Sequence, residues 1–156
     1  MIPEELCRLR LTAKSEYGLL AVIDLATAYG EGPVSARGIA ERRMIPARFL
    51  EQLLVALRRA GIVSAVRGAR GGFTLTRDAS EITVLDVVEA LEGPLTGSVC
   101  DTERGATCGQ MGSCAAAAVW ARATSALREV FASTTVSELA NDQARLDSAD
   151  AVSESE

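Results

Sequence analysis

The amino-acid sequence predicts a mainly α-helical fold with a small β-wing: a winged helix-turn-helix domain followed by a long dimerisation helix. Three observations carry that prediction. Two short helical segments, 36–43 and 46–60, are separated by a tight turn, and the second opens with polar and basic residues. Two strand-like runs, 62–66 and 73–77, follow at once and are joined by the glycine-rich basic tip 67–72. Finally, the segment 115–133 carries an apolar stripe at three- and four-residue steps, longer than one small domain needs.

Residues 1–9 read as an N-terminal extension and 10–94 as the winged-helix domain. Within 11–30, Tyr17, Leu20, Ala21 and Leu25 recur at helical spacing, with Asp24 the one charged residue on their face. The run Gly30-Glu31-Gly32-Pro33 stops that helix. Ser35 is placed to cap 36–43, with Ile39 and Ala40 inward. Pro46 suits the first position of the next helix. Phe49, Leu50, Leu53, Leu54 and Leu57 form that helix's buried side, and Gly61 closes it. Thr83 and Asp86 have capping-box spacing for a helix over 84–93, which Gly93-Pro94 ends. A loop over 95–114 follows.

From Ala115 the stripe comprises Ala116, Val119, Trp120, Ala123, Leu127, Val130 and Phe131. It reads as a dimer helix, with packing on its own domain as the rival. Thr135 and Glu138 start a further short helix ending near 142, and the acidic, Ser- and Ala-rich stretch 143–156 is expected to be disordered. No internal repeat is evident.

At 156 residues and 48% hydrophobic composition the chain builds a single cored domain, with or without an appended arm. No apolar run has the length of a membrane span, and the opening MIPEELCRLRLT lacks the apolar region of a signal peptide. The expected location is cytoplasmic, with no membrane partner, where thiols stay reduced. The net charge of −5 conceals an asymmetry. Residues 35–77 hold nine Arg against Glu41 and Glu51, a net +7, while 78–156 carry a net −10. A basic centre in an acidic chain is the footprint of a phosphate-binding module; the bland alternative is a solvated basic face.

The loop CDTERGATCGQMGSC, from Cys100 to Cys114, holds three of the four cysteines, with seven residues in the first gap and five in the second. Its Gly, Thr, Ser and charged residues offer no core, whereas buried structural cysteines sit among apolar neighbours. Thiolates are good ligands for iron–sulfur clusters and for zinc, and this spacing does not separate the two. The chain has no histidine. A fourth ligand must therefore come from Cys7, a carboxylate, water or a small molecule. An enzyme is the least expected reading, because there is no histidine base, no P-loop and no nucleophile–base pair.

Five segments in order resemble one family: RLTAKSEYGL, FLEQLLVALRRAGIV, the wing SAVRGARGGFTL, DASEITVLDVVEALEG and the three-cysteine loop. They resemble the Rrf-two family of winged-helix regulators, the group that includes IscR, NsrR and RirA, over about residues 10–142. The resemblance implies a homodimer on a palindromic double-stranded DNA operator, with an iron–sulfur cluster of two or four irons held by Cys100, Cys108 and Cys114. It differs from IscR-type members in having Ala117 where they carry a histidine, and the seven-residue gap is similar to RirA. Glu16 falls where NsrR-like members use an acidic ligand reaching across from the partner subunit; its alternative is a solvated first-turn carboxylate.

On this basis the sequence is expected to encode a homodimeric, cluster-dependent transcription regulator. Arg48, Glu51 and Gln52 are the candidate base readers, since Arg suits guanine, Gln adenine, and Glu accepts from cytosine. Arg67 and Arg70 on the wing are expected on phosphate or in a narrow minor groove. Arg58 and Arg59 either join them or cover the helix end. Two rivals stand beside this reading. One is a thiol-redox or zinc-dependent repressor without a cluster; the other is an electron-transfer or cluster-carrier protein, which leaves the basic wing unexplained.

Overall fold

The computed structural model of the chain describes residues 11–95 and 113–153. The extension 1–9, Cys7, Cys100, Cys108 and most of the 95–114 loop lie outside the described residues. Among those described there are six α-helices and a two-stranded antiparallel sheet: α1 (Ala13–Thr27), α2 (Ala36–Arg43), α3 (Ala47–Arg59), β1 (Val63–Val66), β2 (Gly72–Leu75), α4 (Val84–Glu92), α5 (Ala115–Ser133) and α6 (Val136–Ser153). The chain is thus mainly α with a β-wing, as its sequence predicts.

Local chemistry sets most of the boundaries. The Ser35 hydroxyl accepts from the Gly38 N–H at 3.0 Å, satisfying a donor that the first turn of α2 leaves free. Thr83 and Asp86 form a full capping box, with bonds of 3.1 and 2.9 Å. The end of α3 is a Schellman motif. Gly61 has φ +74° and donates to Arg58 O, while Ile62 donates to Leu57 O, both at 3.0 Å. Ile62 and Leu57 are both buried, so the cap also closes the core at that corner.

Pro46 differs slightly from expectation. Its ψ of 123° is extended, so it is the N-cap residue and α3 starts at Ala47. The strands are also shorter than expected: β1 begins at Val63, and β2 begins one residue early at Gly72 and ends two early at Leu75, with Gly72 paired to Val66 and Leu75 to Val63. Beyond Leu75, the Thr76 N–H donates to Ile62 O in the same antiparallel register, and the Thr76 hydroxyl donates to Gly61 O. Val34 adds a bridge on the other edge of β2, exchanging bonds of 2.9 and 2.8 Å with Phe73. A Cβ on Gly72 would stand 2.3 Å from Val34 O, so this close approach requires glycine.

The core lies under the helix-turn-helix. Ala21, Val22 and Leu25 of α1 meet Ile39, Leu50, Leu54, Leu57, Leu75, Ile82, Val87 and Val136. Tyr17 and Phe49 add an edge-to-face contact at 5.9 Å. A second cluster joins Val84, Val88 and Leu95 to Leu127 and Phe131 of α5.

The C-terminal segment corrects an expectation. Residues 143–153 are not a disordered tail but the continuation of α6, which runs to Ser153. Thr135 and Glu138 cap its start reciprocally. Val136 and Ala140 are buried, and the helix packs along α1. Further out, Gln143 donates to Asp147 at 2.7 Å and Arg145 pairs with Asp142. Such neighbours three and four residues apart support a helix whose composition alone reads as polar and weakly periodic.

Candidate nucleic-acid interface

α3 turns two faces outward and inward with little overlap. Leu50, Leu53, Leu54 and Leu57 are buried. Arg48, Glu51, Gln52, Val55, Arg58 and Arg59 are exposed, so the structure brings the candidate base readers to one open face. Pro46 offers no side-chain cap to the first turn of α3, the end that carries Arg48. Across the tight turn from α2, Met44 takes a left-handed conformation (φ 51°) that lets Ile45 drop into the core. The wing tip turns through a Gly71 N–H to Gly68 O bond of 3.0 Å and leaves Arg67 and Arg70 exposed.

The nine arginines of the basic centre divide by partner. Arg37 pairs with Glu41, and Arg77 with Asp86. Arg42 and Arg43 both bind Asp24. The remaining five, Arg48, Arg58, Arg59, Arg67 and Arg70, are exposed and pair with no described acid. The charge available to a polyanion is therefore smaller than composition implies, and it is concentrated on α3 and the wing.

Asp24 explains itself here. It is only 2% exposed, and it accepts from Arg42 at 2.6 Å and from Arg43 at 3.0 Å. The Asp24 hydrogen bond raises the Arg42 pKa above its ordinary value against the opposing effect of burial. Arg43, whose side chain is 13% exposed, also reaches Asp147 of α6 at 3.5 Å. One buried carboxylate thus ties α1 to α2, and through Arg43 to α6. Sequence reasoning missed this cluster, although an acid in the middle of an apolar helical face was its signal.

The described edges of the cysteine loop are braced twice. At α1, Glu92 accepts from the Thr12 N–H at 3.1 Å, the Thr12 hydroxyl, and the Ser15 hydroxyl at 2.7 Å. Burial pushes the Glu92 carboxyl up, but these bonds outweigh it and hold the group below its usual value. At α5, Leu95 donates to Glu89 at 3.0 Å and accepts from Arg128 at 3.2 Å, while Arg128 and Glu89 pair directly. Glu16 is exposed in the first turn of α1. Cys114 is a free, half-buried thiol at the N-cap of α5, and its side chain makes no capping bond. Among the described residues, which do not include Cys100 and Cys108, no group of three metal-ligating side chains is found.

The α5 stripe splits. Leu127 and Phe131 pack on α4. Ala116, Val119, Trp120, Ala123 and Val130 stay exposed, Trp120 by 53%. This is a contiguous apolar strip of the kind that marks an interaction surface.

Comparison with known proteins places this geometry. The family model of Rrf2, described as an iron-dependent transcriptional regulator, matches residues 11–142. The chain belongs to the Rrf2 family of transcriptional regulators. Among relatives, the regulator IscR of Photorhabdus laumondii is 38% identical over 139 residues, covering 89% of this chain and 84% of that protein. CymR of Bacillus subtilis is 37% identical over 134 residues, covering 85% and 91%. The solved structure of that CymR, described as the global cysteine regulator of its organism, superposes with a TM-score of 0.70 over 86% of this chain and 98% of its own. The structure of T. potens IscR gives 0.71 at 36% identity, over 86% and 88%. The Rrf2 relatives are transcriptional regulators, and winged-helix regulators bind DNA. No helix among the described residues is long and apolar enough to cross a membrane.

Proposed function

We propose that the chain is a homodimeric regulator that binds a palindromic operator and responds to an iron–sulfur cluster held by Cys100, Cys108 and Cys114, with Glu16 supplied by the partner subunit. The observation that carries this reading is the position of Cys114. The cysteine loop ends on Cys114, the N-cap residue of α5, the helix whose exposed apolar strip offers the surface for a second copy. Ligation and dimer geometry would then share one helix.

The donor set fits the group. Three thiolates suit a soft iron–sulfur core, and one carboxylate, a hard ligand, gives it a weak corner. When bound, the cluster supplies a group that oxidant, nitric oxide or iron shortage can alter or remove. The chain's own residues do the positioning. Thr12, Ser15 and Glu92 fix the start of α1, which carries Glu16. Glu89 and Arg128 hold Leu95 where the loop begins. On DNA, Arg48, Glu51 and Gln52 read base edges, Arg67 and Arg70 hold backbone or minor groove, and Arg58 and Arg59 flank them.

Iron and acid-labile sulfide are measured on anaerobically purified protein. Loss of both in Cys100→Ala, Cys108→Ala and Cys114→Ala, with retention in Cys7→Ala, is expected; the reverse pattern overturns the ligand assignment. A mixed dimer tests Glu16. One subunit carries only Glu16→Ala, the other only Cys→Ala changes at 100, 108 and 114. Ligation in trans gives its single remaining site a normal spectrum, whereas an abnormal spectrum means ligation in cis. The likeness to CymR favours a second reading, a thiol-responsive repressor without a cluster. It predicts metal-free protein whose operator binding changes on thiol oxidation.

A further inference from the structure

Val55 is the one large apolar side chain on the outward face of α3. It is 50% exposed. Besides Ala47 at the helix start, the other exposed residues of α3 are Arg48, Glu51, Gln52, Arg58 and Arg59. At about 100° per residue, Val55 lies about 150° around the helix from the centre of the buried Leu50, Leu53, Leu54 and Leu57 set. It therefore occupies the middle of the open face, one turn beyond Glu51 and Gln52 and one turn before Arg59. A single exposed valine is ordinary on a protein surface; this one stands at the centre of a face otherwise made of charged and amide side chains.

The position gains little from valine in the free protein. A β-branched residue is a poorer helix former than Lys, Arg, Gln or Ala, and half of its surface is left in water. Desolvation against an apolar group would reverse that balance. In the major groove, the C5-methyl of thymine is the apolar group that the base edges present. Along the helix axis Val55 is about 4.5 Å beyond Gln52, little more than one base step of about 3.4 Å.

We propose that Val55 is a specificity-determining residue that packs on a thymine methyl in each half-site, one or two base pairs from the base read by Gln52. The inference rests on the DNA-regulator reading above. It adds a thymine requirement that hydrogen-bonding residues do not impose.

The experiment uses the full-length dimer, with and without cluster. An operator is first selected from a random duplex library. Each thymine of the selected site is then replaced by deoxyuridine, which removes the methyl and keeps every hydrogen-bonding group. Binding is read by fluorescence anisotropy. Wild type is expected to lose about fourfold in affinity at one thymine per half-site, the equivalent of one buried methyl. Val55→Ser and Val55→Asn, which carry no methyl group and have a helix propensity close to that of valine, should bind the thymine and deoxyuridine duplexes within twofold of each other. Both should retain the wild-type melting temperature, because the side chain is outside the core. A selected operator with no deoxyuridine effect overturns the inference, as does an equal effect in wild type and both variants. Enrichment of no sequence in either cluster state overturns the parent reading and the inference with it.

Discussion

Replacing Asp24 with alanine tests whether the buried carboxylate organises the helix-turn-helix. Asp24 is 2% exposed and binds two arginines of α2. The two arginines do not count equally. The Arg42 side chain is 53% exposed, so its bond is worth what a surface pair is worth, about 0–1 kcal/mol. Arg43, at 13% exposure, would keep only Asp147 at 3.5 Å, itself half exposed. Stripping one partner from a buried pair costs about 3–5 kcal/mol. Because Arg43 retains that second acid, the lower end applies, about 3 kcal/mol, or about 10 °C in melting temperature for a chain of this size. The assay is urea and thermal unfolding followed by circular dichroism, at fixed protein concentration because association would make stability depend on it. A double-mutant cycle with Arg43→Met should give a coupling above about 1 kcal/mol. If Asp24→Ala stays within about 0.5 kcal/mol of wild type, as exposed substitutions do, the carboxylate is not the organising contact.

Further outcomes follow from the same geometry. Gln52→Ala should cost about 1–3 kcal/mol at one base position of the operator, measured with single-base variants; a uniform loss over all duplexes would assign Gln52 to the backbone instead. Arg67→Ala or Arg70→Ala should weaken every duplex and reduce the slope of log affinity against log salt by about 0.9 per contact, so by about two in a dimer. An unchanged slope would mean that the wing does not touch phosphate. Glu92→Gln should destabilise by about 1–2 kcal/mol at neutral pH. The folded state holds the Glu92 carboxyl below its ordinary value of 4.5, so its contribution is present above that pH and is lost as pH falls through the lower, folded value. A wild-type advantage that persists unchanged in strong acid would show that the carboxylate's charge is not what matters.

The parts of the fold legible in the sequence are those fixed by neighbours along the chain. Ser35, the Thr83 and Asp86 box, and Gly61 act within three or four residues. The leucines of α3 declare their face by period alone. What escaped the sequence joins distant positions: Asp24 to Arg42 and Arg43, Val34 to Phe73, and Thr12 to Glu92. No local rule links such pairs, although Asp24 on an apolar face and the paired arginines were visible hints. α6 is longer than composition implies because its distal half is polar, while Val136 and Ala140 at its start are buried and the helix packs on α1, which composition does not reveal. Of the candidate site, the exposed face of α3 and the wing arginines could be placed from pattern. The α5 stripe could be read as apolar, but only packing separates Leu127 and Phe131 from the bare strip around Trp120. Val55 has no periodic signal in the sequence, because it breaks the polar face without extending the buried one.

Native mass spectrometry of the full chain, purified without oxygen, tests the central claim most directly, because it reports oligomeric state and bound inorganic mass in one spectrum. A dimer carrying two iron–sulfur clusters is expected, with both lost when Cys108 is replaced by alanine. A dimer bearing zinc or no metal, or a cluster that survives Cys108→Ala, would contradict it.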